Sequence, residues 1–172
     1  MLEQFMPKQF IMSVFEIDLQ QLQQQGIKAI ITDLDNTLVE WDRPEPTERI
    51  REWVSQVHDI GIELLILSNN DEERVARFAK PLHVPYIYDA GKPGSKAFAK
   101  ALKVLQLPRE ACVVVGDQVM TDVWGANRFG LEAILVKPVA NNDAVKTRFN
   151  RQIERLILYL ARKRGWTTWT NQ

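Results

Sequence analysis

Cysteine, histidine and long apolar runs are scarce in this chain of 172 residues. Its one cysteine, Cys112, excludes a disulfide framework and any cysteine-rich zinc site, and it fits a reducing compartment. The two histidines, His58 and His83, have no partner at metal-ligand spacing and read as surface or packing residues. The longest apolar stretches, such as Leu156 to Ala161, fall far short of the roughly 18 residues a membrane span needs. A basic region followed by an apolar one is missing at the N-terminus, so no secretory route is expected and the location reads as cytoplasmic. Net charge is absent too, with 22 Lys+Arg against 22 Asp+Glu. Taken as an average, this argues against nucleic acid or an acidic membrane as partner, but the average hides a division. Up to Val136 there are 14 basic against 20 acidic residues, and from Lys137 onward 8 against 2. The chain is an acidic body with a basic tail.

What is present is a repeat of short β-branched runs and longer amphipathic stretches, the pattern of a Rossmann-like, doubly wound α/β fold on a parallel sheet. Five strands are expected, over Lys28–Asp33, Ile62–Ser68, Val84–Tyr88, Ala111–Gly116 and Glu132–Val136. Helices are expected over Thr47–Ile60, Asp71–Lys80, Gly94–Leu105 and Met120–Phe129, with Pro46 and Thr47 at the start of the first and Pro93 suited to the opening of the third. The chain reads as a single unit over residues 1–172: an N-terminal segment (1–26), a catalytic core (27–140) and a basic helix and tail (141–172). The N-terminal segment lies outside the repeat, and its glutamine-rich stretch reads as a polar helix face. In the tail, Ile153, Leu156, Ile157 and Leu160 share one side of a helix over Arg148–Arg164, ahead of Trp166 and Trp169.

Ligands in open parallel sheets gather beyond the carboxyl ends of the strands. Here those ends carry Asp33-Leu34-Asp35-Asn36-Thr37, Ser68-Asn69-Asn70, Lys92, and Gly116-Asp117 with Asp122 five residues on. A carboxylate attacks phosphorus only if the repulsion between two anions is neutralised, which calls for a hard cation such as Mg²⁺ on oxygen ligands. Asp33 suits the roles of nucleophile and metal ligand, with Asp117 as the second ligand. Asp35, two residues on, suits a general acid that then serves as base. Ser68 would donate to the transferring phosphoryl oxygens and Lys92 would offset their charge, with backbone N–H groups of Leu34, Asp35 and Asn69 assisting. Lys92 is preferred to Lys96, which would point outward from the first helical turn. Ser68 taken alone reads equally well as a cap for the helix that follows. Trp53 reads as core, and Trp41, just after the nucleophile loop, could line the mouth of the site.

In this order and placement, Asp-Leu-Asp-Asn-Thr, Ser-Asn, Lys-Pro and Gly-Asp-Gln-x-x-Thr-Asp resemble the four motifs of the haloacid dehalogenase superfamily of aspartate-dependent phosphohydrolases. More narrowly, ITDLDNTLVEWD, SNN, GDQVMTD and FNRQIERLI resemble the YqeG family of its subclass IIIA. That family is related to the phosphatidylglycerophosphate phosphatases of mitochondria and plastids. The resemblance implies Asp33 as nucleophile, Asp35 as acid/base, Ser68 and Lys92 as the phosphate-binding pair, and Mg²⁺ held by Asp33, Asp35 and Asp117. Thr37, Asn69 and Asp122 are supporting residues, Asp122 holding metal-bound water or positioning Lys92.

Neither Thr37–Ser68 nor Asn70–Lys92 leaves room for a cap domain. An uncapped site favours a phosphate carried on something large, unless a second subunit supplies the cover. The basic tail, with interfacial tryptophans, then favours a lipid headgroup and peripheral contact at the inner membrane face, and nucleic acid is not favoured. The apolar N-terminal segment would either join the tail in that contact or cover the body. Two other readings share the residues: a phosphatase of small phosphomonoesters or nucleic-acid ends, and a non-enzymatic phospho-accepting or interaction protein. Asp35 speaks for turnover, because a mere acceptor has no need of it.

Overall fold

A computed structural model describes residues 2–140, 145–163 and 165. The expected Trp166 and Trp169 lie outside the described residues. Six parallel strands, β1 (Gln9–Ile11), β2 (Ala29–Thr32), β3 (Glu63–Leu67), β4 (Tyr86–Ile87), β5 (Cys112–Gly116) and β6 (Glu132–Val136), form one sheet in the order β1-β6-β5-β2-β3-β4. The helices are α1 (Leu19–Gln24), α2 (Glu48–Asp59), α3 (Glu72–Ala79), α4 (Ser95–Leu105), α5 (Trp124–Phe129) and α6 (Val145–Lys163).

Alternation along the strands builds two cores. Ile30, Leu64, Ile66, Val113, Val115 and Ile134 pack on the face shared with α2 and α3. Their neighbours Ile31, Leu65, Leu67, Val114, Ala133 and Leu135 pack on the face shared with α4, α5 and α6. A strand buried on both sides must be apolar at every position, which is why the strands read as continuous runs. The helix-side residues Phe78 and Phe98 are each wholly buried, a contribution of roughly 2–3 kcal/mol apiece.

The sixth strand is β1, from the segment read as lying outside the repeat. Its three residues pair with Ile134, Leu135 and Val136 of β6, and Phe5 stacks on Trp124 with ring centroids 5.7 Å apart. A three-residue strand is too short to show alternation, and only its partner defines it. In α1 the glutamines 20, 21, 23 and 24 are exposed and Leu22 is buried, as a polar face requires.

Three other expectations are corrected. Gly94 caps α4, so Pro93 stands ahead of the helix and not at its first position. The helix expected from Met120 opens as a wide π turn, Val119–Val123, before α5 continues. Among the described side chains of α6, which do not include Ile153, the buried ones are Glu154, Ile157, Leu158 and Ala161, while Leu156 and Leu160 are exposed. Both stripes have helical spacing; Glu154, accepting from the Val119 N–H at 3.1 Å, belongs to the one that meets the body.

Candidate active site

From β2 the chain runs outward through β3 to β4, then returns to β5 on the other side of β2. The carboxyl ends of β2 and β5 therefore lie side by side at the point where winding reverses, where a crevice opens. Asp33 follows β2 and Asp117 follows β5, and the Asp33 N–H donates to the Val115 carbonyl at 2.8 Å, extending the ladder to the site. One oxygen each of Asp33, Asp117 and Asp122 lie within 4.8 Å of one another, all three residues buried.

Lys92 enters this cluster from beyond β4. Its Nζ donates to Asp33 Oδ1 at 2.8 Å and to Asp122 Oδ1 at 2.6 Å, with 3% of its side chain exposed. Burial alone would depress the ammonium, but Asp122 and Asp33 outweigh it and hold Lys92 above its ordinary range. Burial, aided by the Asp33 charge, raises the Asp122 carboxyl against the pull of Lys92. Lys96, on α4, is exposed. The Thr37 hydroxyl stands 3.2 Å from Asp33 Oδ2 and 3.1 Å from Asp117 Oδ1, bridging the two strand ends.

The π turn and Gly116 admit Asp122. A Cβ at Gly116 would overlap the Asp122 carboxyl group, so only glycine leaves the space. Asp122 Oδ2 also accepts from the Gln118 N–H at 3.1 Å. Asn69 clamps the backbone of Lys92 at two points, accepting from its N–H at 2.8 Å and donating to its carbonyl at 3.0 Å. Ser68 is buried, and its Oγ accepts from the Asn70 N–H at 3.1 Å, which leaves the hydroxyl hydrogen to donate. It does not cap α3: that is Asp71, which accepts from the Arg74 N–H at 2.9 Å.

Asp35 is held apart from this cluster. Its Oδ2 accepts from Asn70 Nδ2 at 3.1 Å, and its Oδ1 accepts from Arg74 Nε at 3.1 Å and Nη2 at 2.9 Å. Burial and the Asp33 charge raise its pKa above the ordinary carboxylate range, against the opposing pull of Asn70 and Arg74. The Asp35 carboxylate thus stands outside the acidic group. Arg74 was not foreseen. In the run Asp71-Glu72-Glu73-Arg74 it reads as one more charge on a solvated helix face, and nothing in its spacing points 39 residues back to Asp35.

The oxygen-rich donor set suits a hard divalent cation: three carboxylates against one ammonium leave two negative charges in a buried space. Trp41 is exposed on the loop between β2 and α2, while Trp53 and Cys112 are in the core. No inserted cap interrupts either crossover beside the site.

Residues 5–130 match the family model described as haloacid dehalogenase-like hydrolase. The chain is 50% identical over 165 residues to a Bacillus subtilis protein described as probable phosphatase YqeG, spanning 96% of each. Among solved structures, the cobalt-bound deoxy-D-mannose-octulosonate 8-phosphate phosphatase of Haemophilus influenzae superposes with a TM-score of 0.53 at 16% identity, covering 80% of this chain and 90% of that one. The Moraxella catarrhalis 3-deoxy-D-manno-octulosonate 8-phosphate phosphatase, in complex with magnesium, phosphate and KDO, gives 0.50 at 19% identity, covering 81% and 91%. At such identities these two structures speak to the fold.

Proposed function

The chain belongs to the haloacid dehalogenase-like hydrolases, and from that membership we propose that it is a phosphatase working through an aspartyl-phosphate. The carrying observation is the division just described: Asp33, Asp117, Asp122, Lys92 and Thr37 converge in a buried cluster, while Asp35 is held beside it by Asn70 and Arg74.

Asp33, oriented by Lys92 on one oxygen and Thr37 on the other, attacks phosphorus. As the bond to the leaving oxygen breaks, Asp35 passes its proton to that oxygen; burial and the Asp33 charge raise its pKa, the direction a proton donor needs. Ser68 and Lys92 hold the phosphoryl oxygens. The Asp35 carboxylate then takes a proton from a water that attacks phosphorus, and Asp33 is released. Asp122 keeps Lys92 in place. A divalent cation, Mg²⁺ in this reading, would be held by Asp33, Asp117 and the Asp35 carbonyl and would neutralise the repulsion between nucleophile and phosphate.

For substrate, the reading is a lipid phosphate such as phosphatidylglycerophosphate, met at an anionic bilayer. What favours it is the uncapped site together with the outer face of α6, where Leu156, Tyr159 and Leu160 are exposed beside Arg155, Arg162 and Lys163. Phosphate release from phosphatidylglycerophosphate in vesicles should exceed that from nucleotides and sugar phosphates and should stop in EDTA. Equal rates on all three would remove the lipid reading, and EDTA-insensitive turnover the metal one. In flotation on anionic vesicles, binding should weaken with salt and with the double change Leu156→Glu and Leu160→Glu; binding indifferent to both would place the contact elsewhere.

A further inference from the structure

Without a cap, any reading of the substrate beyond its phosphate has to come from the core itself. The group next to Asp35 is the Arg74 guanidinium, and its surroundings fix it firmly. Nε and Nη2 donate to Asp35 Oδ1, and Nη1 donates to the Pro44 carbonyl at 3.3 Å, on the loop that carries Trp41. Below it lies the Phe78 ring, with the guanidinium carbon 5.9 Å from the centroid. A guanidinium has five N–H donors. Three are used in these bonds, and among the described residues the remaining two, one on Nη1 and one on Nη2, have no protein acceptor. The acidic neighbour on the same loop, Glu45, is paired with Arg77 at 3.3 Å. The Arg74 side chain is 13% exposed, so these donors are neither buried in the core nor free to swing.

On the reading of Asp35 as the acid that protonates the leaving oxygen, that oxygen sits about 3 Å from the Asp35 carboxyl. It is therefore close to Arg74, which holds the same carboxyl group. We propose that Arg74 is a specificity-determining residue that receives a second anionic group on the leaving-group side of the substrate, a carboxylate or phosphodiester a few bonds from the scissile oxygen. A planar fork with two donors in hand fits either group in a way that a lysine at this place would not.

The test compares glycerol 1-phosphate, whose remainder is uncharged, with 3-phosphoglycerate and with a short-chain phosphatidylglycerophosphate, whose remainders carry a carboxylate and a phosphodiester. The wild type should prefer the charged remainders in kcat/KM. Arg74→Ala should shrink that preference by about 10- to 100-fold, the range for a charged hydrogen-bonded contact, and Arg74→Lys should restore part of it. A loss confined to one anionic substrate tells which group is read. An unchanged preference, or an equal loss on all three substrates, overturns the proposal, the latter making Arg74 a support for Asp35 alone. Failure of the phosphatase reading looks different: no phosphate release from any of the three by the wild type.

Discussion

The two sides of the site are built differently. In the inner cluster, Asp33, Lys92 and Asp122 have 8%, 3% and 1% of their side chains exposed, and one ammonium is shared by the two carboxylates inside the protein. Beside it, Asp35 and Arg74 are 21% and 13% exposed, and their partners come from a surface helix and a loop. A buried array of charges tolerates little change, because removing one member strands the others without solvent. The outer pair is partly solvated and can be altered at lower cost. Under the proposed reaction, chemistry common to every substrate belongs on the inner side, and discrimination between substrates on the outer one.

The largest effect expected from breaking this contrast is at its inner extreme. Asp33→Asn should abolish turnover on every phosphomonoester, by more than about 10³-fold, while leaving the protein folded; a retained burst of the leaving alcohol, stoichiometric with the chain, would show that another residue attacks. Next is Gly116→Ala. The added methyl displaces Asp122, and through it Lys92, by a fraction of an ångström to an ångström, which should cost about 10²-fold in kcat. Overpacking should also cost about 1–3 kcal/mol in stability, both measurable by steady-state kinetics and urea unfolding. The smallest effect lies at the other end of β5. Cys112, buried at the amino end of the strand whose carboxyl end leads to Asp117, has its thiol pushed up to about 11, by burial first and then by Glu63 and Glu110. The reactive form is the thiolate, so alkylation of the native chain at pH 8 should be far slower than that of the urea-unfolded chain. Its rate should keep climbing with pH past 9; a plateau near the ordinary thiol range would show that the amino edge is more open than the carboxyl edge.

The same contrast decides what could be read in advance. Asp33, Ser68 and Asp117 stand at the ends of apolar runs, and a strand end marks its residue for the crevice whatever the rest of the chain does; Lys92, a few residues past β4, was picked out by the Lys-Pro that precedes the following helix. Thr37, Asn69 and Asp122 were expected as supports from the family resemblance, though not the means by which Asn69 grips the Lys92 backbone. Arg74 and Asn70 were not legible in their roles, since a charged residue in the first turn of a helix looks the same whether it meets water or a carboxylate. Nor was β1, whose three residues are a strand only because β6 offers an edge.

The amino-acid sequence by itself determined the alternation of strands and helices, the parallel sheet and the polar strand ends that meet in the inner cluster. Apolar periodicity and strand-end polarity are local properties, read without knowing what packs on what. Only the tertiary structure decided which stripe of α6 turns inward, that the N-terminal segment completes the sheet, and that Arg74 stands over Asp35. Each of these depends on a surface contributed by a distant part of the chain, and burial and charge pairing are set only when the two surfaces meet.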